Sequence, residues 1–464
     1  METLPPLMLW NTMDRRKVPF QPINPNQVGV YSCGPTVYDY AHLGNMRAYL
    51  FVDTLRRVLE YRGLQVNHVM NITDVGHLTD DADSGDDKLA LGAAREGKTA
   101  WDVARFYETA FFHDTARLNI EVPTVSPRAT EHIPEQIALI EQLERRGFTY
   151  RITDGIYFDT AKLADYGKLA RLSQQQLKEG ARVEVNPEKH HPRDFALWKF
   201  SKVDEQRHME WPSPWGKGFP GWHVECSAMS VKYLGQPFDI HTGGIDHVPI
   251  HHTNEIAQTE AATNKTLANY WLHNEFIQEN GSKMAKSAGG FLKLQDIVDR
   301  GFDPLAFRYL ALGTHYRHPL NFTWDGLDAA ANGLRHLRND LRRLEVEPTQ
   351  LPAALDEAFV RAVSDDLNTP QALALLQETL KQPDLSDGEK LAAVQAWDRV
   401  FGLKLLEEAP QALPAEVVAL FAEYQGARAA KDFAVSDRIR ADLSMHGYTV
   451  EDGADGSKLL PHDA

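Results

Sequence analysis

Cysteine is scarce in this chain: Cys33 and Cys226 are the only two in 464 residues. Two distant cysteines cannot staple a chain of this size. A disulfide scaffold is therefore excluded, and reduced thiols in a cytoplasmic protein are the plain expectation. Long apolar runs are missing as well. No stretch approaches the roughly 18 consecutive apolar residues of a membrane-spanning helix. The opening "METLPPLMLWNTMDRRK" has no apolar segment behind a basic start, so neither a signal peptide nor a membrane partner is expected. A basic excess is also lacking. The formal net charge of −16 excludes a scaffold that coats nucleic acid by charge alone, while local basic surfaces stay open. There is no low-complexity tract and no internal repeat. What is present is a globular balance, 43% hydrophobic and 25% charged, in a chain long enough for about two to four domains.

"QVGVYSCG" (27–34) is rich in β-branched and aromatic residues and reads as a buried strand. "GNMRAYLFVDTLRRVLEYRG" (44–63) follows, with Leu50, Phe51, Leu55, Val58 and Leu59 at helical spacing and Gly63 as a stop. "LQVNHVMNIT" (64–73) is a second strand. Strand, helix and strand in succession make a βαβ unit, hence a parallel sheet with a right-handed crossover. Residues 37–45 then lie at the carboxyl end of the first strand, where open α/β sheets bind ligands. Residues 77–88 carry five aspartates. A calcium loop counted from Asp81 would put Asp86 where glycine is needed and Gly92 where glutamate is needed, so this segment reads as a solvated acidic loop.

Helices such as "PEQIALIEQLERRG" (134–147) and a hairpin over 148–160, turning at Asp154-Gly155, suggest an insertion between two halves of the sheet domain. "WPSPWGKGFPGWHVECSAMSV" (211–231) reads as a rigid loop that ends at Cys226 and opens a helix. "FDIHTGGID" (238–246) is another strand with a glycine turn, and "HHTNEIAQTEAAT" (251–263) is a helix. Beyond about residue 325 the pattern is helical, with Leu327, Leu334, Leu337, Leu341 and Leu344 on one stripe and Thr369-Pro370 as an N-cap and first-turn pair.

The expected architecture is α/β. It has a Rossmann-type parallel-sheet catalytic domain with an inserted connective subdomain, followed by an all-helical C-terminal domain. The expected boundaries are 1–115 and 206–265 for the two sheet halves, 116–205 for the insertion, 266–326 for a loop and stem-contact region, and 327–464 for the helical domain with a small terminal element.

Three constellations could carry chemistry. Cys33, Cys226, a histidine of the 251–252 pair and Glu255 are all zinc-ligand types. His251 and Glu255 are four apart and share a helix face, but His252 and Glu255 are three apart, so spacing does not choose between the histidines. Two buried thiols beside a polar helix face explain the same pattern. Both cysteines are expected at element ends beside glycine-rich turns, which favours a ligand role. His42-Leu43-Gly44-Asn45 stands at a helix N-terminus, where backbone N–H groups and the dipole favour phosphate. An ordinary capped turn explains it equally well. "GSKMAKSAGG" (281–290) is a cationic, flexible loop that could close over a polyphosphate or simply be solvated.

In combination and order these features resemble the class I aminoacyl-tRNA synthetases. His42–Asn45 stands where that class has its HIGH motif, and Lys283-Met284-Ala285-Lys286-Ser287 where it has KMSKS. "CGPTVYDYAHLGN", "NITD", "DFALWK", "PGWHVECSAMS", "HHTNEIAQ" and "DDLNTP" narrow the resemblance to the cysteinyl-tRNA synthetase family over nearly the whole chain. The resemblance implies one zinc ion per chain on Cys33, Cys226, His251 and Glu255. It implies Cys33, Gly34, Thr73 and Trp222 beside the amino acid. It also implies His42, Asn45, Lys283 and Lys286 as catalytic residues, which contact ATP together with Gly244, Asp246 and Ser287, with Mg²⁺ on the nucleotide. The chain departs from the family at Asn45, where the second histidine of HIGH is replaced, and at Ala285. It departs again in "HVPI" before the paired histidines, at Thr253, and around Leu459, where a tryptophan is often found.

The implied reaction is ATP-dependent ligation of L-cysteine to tRNA(Cys) through a cysteinyl-adenylate, by a cytoplasmic monomer, with zinc selecting the thiol. A related cysteine ligase of mycothiol biosynthesis, which joins cysteine to an amino sugar, is the nearest alternative. The long helical tail argues against it, since a sugar needs no distant anchor. A non-catalytic zinc-dependent nucleic-acid-binding protein is more remote, given His42, Lys283 and Lys286.

Overall fold

The computed structural model describes the chain except residues 1–4, 77–88, 90–96, 172–185, 203–206, 280–281, 284–290, 345, 408–414, 447, 454–455 and 462–464. The acidic segment 77–88 therefore lies outside the described residues. Within them the chain forms two compact units, Met1–Leu405 and Leu406–Ala464.

The first unit opens with an antiparallel pair, β1 (Met8–Asn11) and β2 (Arg16–Pro19). Then come β3 (Gln27–Ser32), α1 (Leu43–Tyr61) and β4 (Gln65–Met70), the βαβ unit read from the sequence. Helix α2 (Ala100–Arg117) and α3 (Ile133–Arg145) follow. Next is an antiparallel sheet of β5 (Thr149–Ile152), β6 (Gly155–Phe158), β7 (Phe195–Phe200) and β8 (Gly218–Pro220). The β5–β6 hairpin pairs Ile152 with Gly155, so Thr153-Asp154 is its turn, one residue earlier than the Asp-Gly signal suggests.

The chain returns to the parallel sheet through α4 (Trp222–Leu234), β9 (Phe238–Gly244), α5 (His251–Thr263) and β10 (Ala268–Asn274). The parallel order is β10-β9-β3-β4. Short strands β11 (Ile277–Glu279), β12 (Ser282–Lys283) and β13 (Leu320–Phe322) form a third sheet around α6 (Leu294–Asp299) and α7 (Pro304–Leu312). Helices α8 (Trp324–Arg342), α9 (Ala353–Ser364), α10 (Thr369–Lys381) and α11 (Asp387–Phe401) complete the unit. The cap of α10 is Asn368, whose side chain accepts from Gln371 N. Thr369 instead donates its hydroxyl to Leu312 O, so the capping residue lies one position before the Thr-Pro pair.

One apolar core runs from Leu9, Val28 and Val30 through Val52, Leu55 and Leu59 of α1 to Phe359, Trp397 and Phe401 of the helical layer. Helices α8–α11 thus share their core with α1, the helix that His42 caps. Buried charge reinforces the contact. Arg308, fully buried on α7, donates to Asp53 Oδ2 (2.5 Å) on α1, to Phe401 O (2.6 Å) at the end of α11, and to Leu118 O and Asn119 O (both 3.0 Å). Arg57 adds Nε to Asp53 Oδ2 (2.8 Å) and Nη1 to Arg399 O (3.0 Å). Guanidinium groups suit the orphaned carbonyls at a helix C-terminus.

The second unit holds α12 (Ala415–Ala429), α13 (Phe433–Met445) and the hairpin β14 (Tyr448–Gly453) and β15 (Gly456–Pro461), around Val417, Tyr424, Ile439, Leu443 and Val450. No helix among the described residues is long and apolar enough to cross a membrane.

Burial alone would raise the pKa of Asp53, but Arg308 and Arg57 outweigh it and hold the carboxyl below its ordinary value. The stability this contributes is complete above the unfolded carboxyl range, about pH 4, and is lost as pH falls through the depressed folded value. Arg308→Met is expected to lower the urea unfolding free energy by about 3 kcal/mol and to make its acid limb shallower than that of wild type.

Candidate active site

The site forms where strand order reverses. β3 is followed through α1 by β4 on one side and pairs with β9 on the other, leaving a crevice beyond the carboxyl ends of β3 and β9. Cys33 is the first residue past β3. Gly34 follows, its N–H donating to Asn71 Oδ1 (2.9 Å). A Cβ at Gly34 would sit 1.6 Å from Asn71 O, so only glycine lets the two strand ends approach this closely.

The structure brings the sulfurs of Cys33 and Cys226, a nitrogen of His251 and a carboxylate oxygen of Glu255 within 4.8 Å of one another. Cys226 lies in the second turn of α4, not at its start. The helix begins at Trp222, earlier than the Pro-Gly-rich sequence suggests, because Gly221 ends β8 by donating to Leu197 O and caps α4 directly. His251 and Glu255 occupy one face of α5, with His251 Nε2 3.1 Å from Glu255 Oε1.

A second grouping shares Cys33 and Glu255 but adds His241 and His252. His241 Nε2 is 2.9 Å from Glu255 Oε2, and His252 Nε2 is 3.3 Å from Cys33 Sγ. His223 Nδ1 lies 2.9 Å from His251 Nδ1. A Cβ at Gly243 would meet the ring of His252 at 2.6 Å and that of His247 at 2.7 Å, so the imidazoles pack against bare backbone.

The electrostatics are those of a cation site. Burial would lower the pKa of His251, but Glu255 and Cys226 outweigh it and raise it to about 10. Burial would raise that of Glu255, yet His241 and His251 hold it well below the carboxylate range. The hydrogen bond with Cys33, against burial, lowers Cys226 to about 7, while burial and the Cys226 neighbour push Cys33 up. Two sulfurs, one imidazole and one carboxylate, already close and buried, fit a thiophilic metal ion such as zinc. The set with two thiolates is the softer of the two groupings.

Beside the cluster, Thr73 is buried, accepts from Asn71 Nδ2 (3.0 Å), and is bridged through its backbone to Thr36. Trp222 lies over His251, ring centroids 5.4 Å apart. His42 caps α1: its Nδ1 accepts from Asn45 N, and its own N–H donates to Asn45 Oδ1, both at 3.1 Å. Its ring lies 4.8 Å from that of Phe291, and burial lowers its pKa against the opposing pull of Asp246. Gly244 caps the short 3-10 turn Ile245–His247 that carries Asp246. The backbone of Lys283 pairs with Gln278. Lys286 and Ser287 lie outside the described residues.

Spacing leaves His252 open beside His251, whereas the sequence does not single out His241 or His273. His241 in "FDIHTGG" and His273 in "WLHN" are polar residues inside apolar strands, and this is the one local signal they carry.

The family described as "tRNA synthetases class I (C) catalytic domain" matches residues 19–332. The chain is 52% identical over 461 residues to the cysteine–tRNA ligase 1 of Burkholderia lata, covering 98% of this chain and 97% of that protein. It is 45% identical to the cysteine–tRNA ligase of Treponema denticola (97% and 98% covered) and 42% identical to that of Thermus thermophilus (97% and 98%). Among solved structures it resembles the Mycobacterium tuberculosis methionyl-tRNA synthetase in complex with methionyl-adenylate, at TM-score 0.56 and 14% identity, covering 83% of this chain and 94% of that one. It also resembles the Agrobacterium radiobacter LeuRS in a ternary complex with tRNA and LeuAMS, at TM-score 0.56 and 13% identity, covering 85% and 86%. These two show the fold.

Cys226 belongs to only one of the two groupings. Cys226→Ser is expected to lower metal affinity by at least the roughly 10- to 100-fold that even outer partners of metal ligands set, as read by plasma mass spectrometry after dialysis against a weak chelator. Retention equal to wild type would move the metal to the grouping with His241 and His252.

Proposed function

Because the chain belongs to the class I tRNA synthetase family of the cysteine–tRNA ligases, we propose that it joins L-cysteine to tRNA(Cys) with consumption of ATP, through a cysteinyl-adenylate. The observation that carries the mechanism is the shared edge. A thiophilic donor set and the N-terminus of α1 both lie past the carboxyl end of β3, the edge that the amino-acid and nucleotide halves of an adenylate would occupy.

The chemical problem is to tell a thiol from an alcohol of nearly the same shape. A pocket that only fits the side chain separates near-isosteres by about a hundredfold. Cys33, Cys226, His251 and Glu255 would hold zinc at the floor of the cysteine pocket. When bound, zinc supplies a soft Lewis acid that favours thiolate over an alcohol, which stays protonated near neutral pH. Thr73 and Trp222 would orient the amino acid above it.

Cysteine's carboxylate attacks the α-phosphorus of ATP and pyrophosphate leaves. The terminal ribose hydroxyl of the tRNA then attacks the adenylate carbonyl and releases AMP. No protein nucleophile is needed. His42 and the N–H of Gly44 in the first turn of α1 would meet the phosphates. Gly244 and Asp246 would take the ribose. Lys283, Lys286 and Ser287 would meet the charge that develops on the departing pyrophosphate, with Mg²⁺ accompanying the nucleotide. Helices α8–α11 and the Leu406–Ala464 unit would hold the tRNA away from its acceptor end, which is the use a long helical tail has for a nucleic-acid substrate.

Charging of purified tRNA(Cys) with labelled cysteine tests the reaction, and an amino-sugar acceptor is the control. Lys286→Ala should slow cysteine-dependent ATP–pyrophosphate exchange by on the order of a hundredfold or more while leaving cysteine affinity nearly unchanged. An unaltered exchange rate would remove the loop from the mechanism.

A further inference from the structure

Behind the metal-ligand group runs a line of polar side chains that the proposed reaction does not use. Thr12 Oγ1 is 2.7 Å from His273 Nδ1. His273 Nε2 is 2.8 Å from His252 Nδ1. His252 Nε2 is 3.3 Å from Cys33 Sγ. Thr12, His273 and His252 are 2%, 4% and 0% exposed. The four groups come from four places in the chain: the turn after β1, strand β10, helix α5 and the end of β3. The position of Thr12 is fixed on both sides, since its N–H donates to Trp271 O (2.8 Å) and the preceding Asn11 Oδ1 accepts from Trp271 N (2.9 Å).

A neutral imidazole carries one N–H and one bare nitrogen, so each ring passes hydrogen-bond direction along the line. Both rings are enclosed among other imidazoles, a setting that favours the uncharged form. A sulfur that serves as a metal ligand can only accept. His252 therefore carries its hydrogen on Nε2, leaving Nδ1 bare, and His273 must donate from its own Nε2. His273 Nδ1 is then bare as well and needs a donor. The hydroxyl of Thr12 is the group at that nitrogen.

We propose that Thr12 is a positioning residue for the metal centre: by donating to His273 Nδ1 it fixes the tautomers of His273 and His252 so that an N–H points at the sulfur of Cys33. This rests on the reading of Cys33, Cys226, His251 and Glu255 as the metal ligands, with His252 outside the set. Valine has the shape of threonine without the donor. With valine at position 12, either a bare nitrogen is buried without a partner, or the line reverses and presents the lone pair of His252 Nε2 to the sulfur. Outer partners of metal ligands typically set affinity by 10- to 100-fold, and Thr12 acts through two rings, which puts its effect near the lower figure.

The test uses the full-length protein. Zn²⁺ affinity is measured by chelator competition, and the thiolate-to-metal absorption is recorded with Co²⁺, for wild type, Thr12→Val and Thr12→Ser. Circular dichroism and urea midpoints report folding. Thr12→Val is expected to weaken Zn²⁺ binding on the order of tenfold and to shift the Co²⁺ thiolate band. Thr12→Ser, which keeps the hydroxyl, should match wild type in both. Thr12→Ala supplies the same removal if the valine variant does not fold. Wild-type affinity and spectrum in a folded Thr12→Val or Thr12→Ala protein would overturn the proposal, as would equal losses in the serine and valine variants. A wild-type protein that binds no metal overturns instead the metal reading beneath it.

Discussion

Parallel pairing of β3 with β9 is the contact on which the site depends. Val30 lies against Ile240 and Ser32 against Thr242, and this register sets Cys33 beside the end of the strand that leads into α5. A shift of one residue would turn every side chain of β3 to the opposite face of the sheet. It would send Tyr31, buried among Cys226, Cys33 and Glu255, away from them. The pairing is also non-local, since the whole β5–β8 sheet lies between the two strands in sequence. The donor set therefore exists only in the folded chain. Metal binding would stabilise the native state alone, which ties the site's occupancy to the stability of the sheet.

Burial gives the cluster its character. Glu255, His241 and His252 are fully enclosed, and an isolated charge in that position would be expensive. Glu255 remains ionised because His241 and His251 each face one of its oxygens. The same logic operates at Asp53, where two guanidinium groups meet one carboxylate and then spend their remaining N–H groups on carbonyls at Leu118, Asn119, Arg399 and Phe401. In both places buried charge is tolerated because one partner on the carboxylate's own helix, His251 or Arg57, is joined by a second from another element, His241 or Arg308. The result is specificity of assembly: α1, whose N-terminus is the proposed phosphate site, is fastened at mid-length to the helical layer.

The elements with strong local periodicity were legible in the sequence: β3, α1 and α5 lie within two residues of where the pattern sets them, and β4 within three. Cys33, Cys226, His251 and Glu255 were legible as ligand types, and the family resemblance supplied the pairing that spacing left open between His251 and His252. The start of α4 was not legible. Proline, glycine and tryptophan suggest irregular chain, while the helix starts at Trp222 because a tertiary hydrogen bond from Gly221 to Leu197 fixes its first turn. His241, His273 and Thr12 were silent for a related reason. Each becomes chemical only through partners far away in sequence, such as Thr12 with His273, and no local pattern carries that distance.

Asn45 shows how a departure from a motif can be read once the local structure is known. The resemblance assigns the position to a second histidine, and its replacement removes an ionisable ring from the proposed phosphate site. In the structure Asn45 serves the helix first. Its Oδ1 accepts from His42 N while its backbone N–H goes to His42 Nδ1, a reciprocal cap that satisfies two otherwise orphaned donors. The cap consumes Nδ1 of His42 as an acceptor, so that ring is held by its own helix, and Nε2 is the nitrogen left to face a ligand. What would meet phosphate at this turn is then the N–H of Gly44 and one oriented imidazole whose pKa burial lowers. Fixed dipoles of this kind need no reorganisation when charge develops. In the proposed reaction the burden of neutralising pyrophosphate would fall accordingly on Lys283 and Lys286 more than on the second position of the motif.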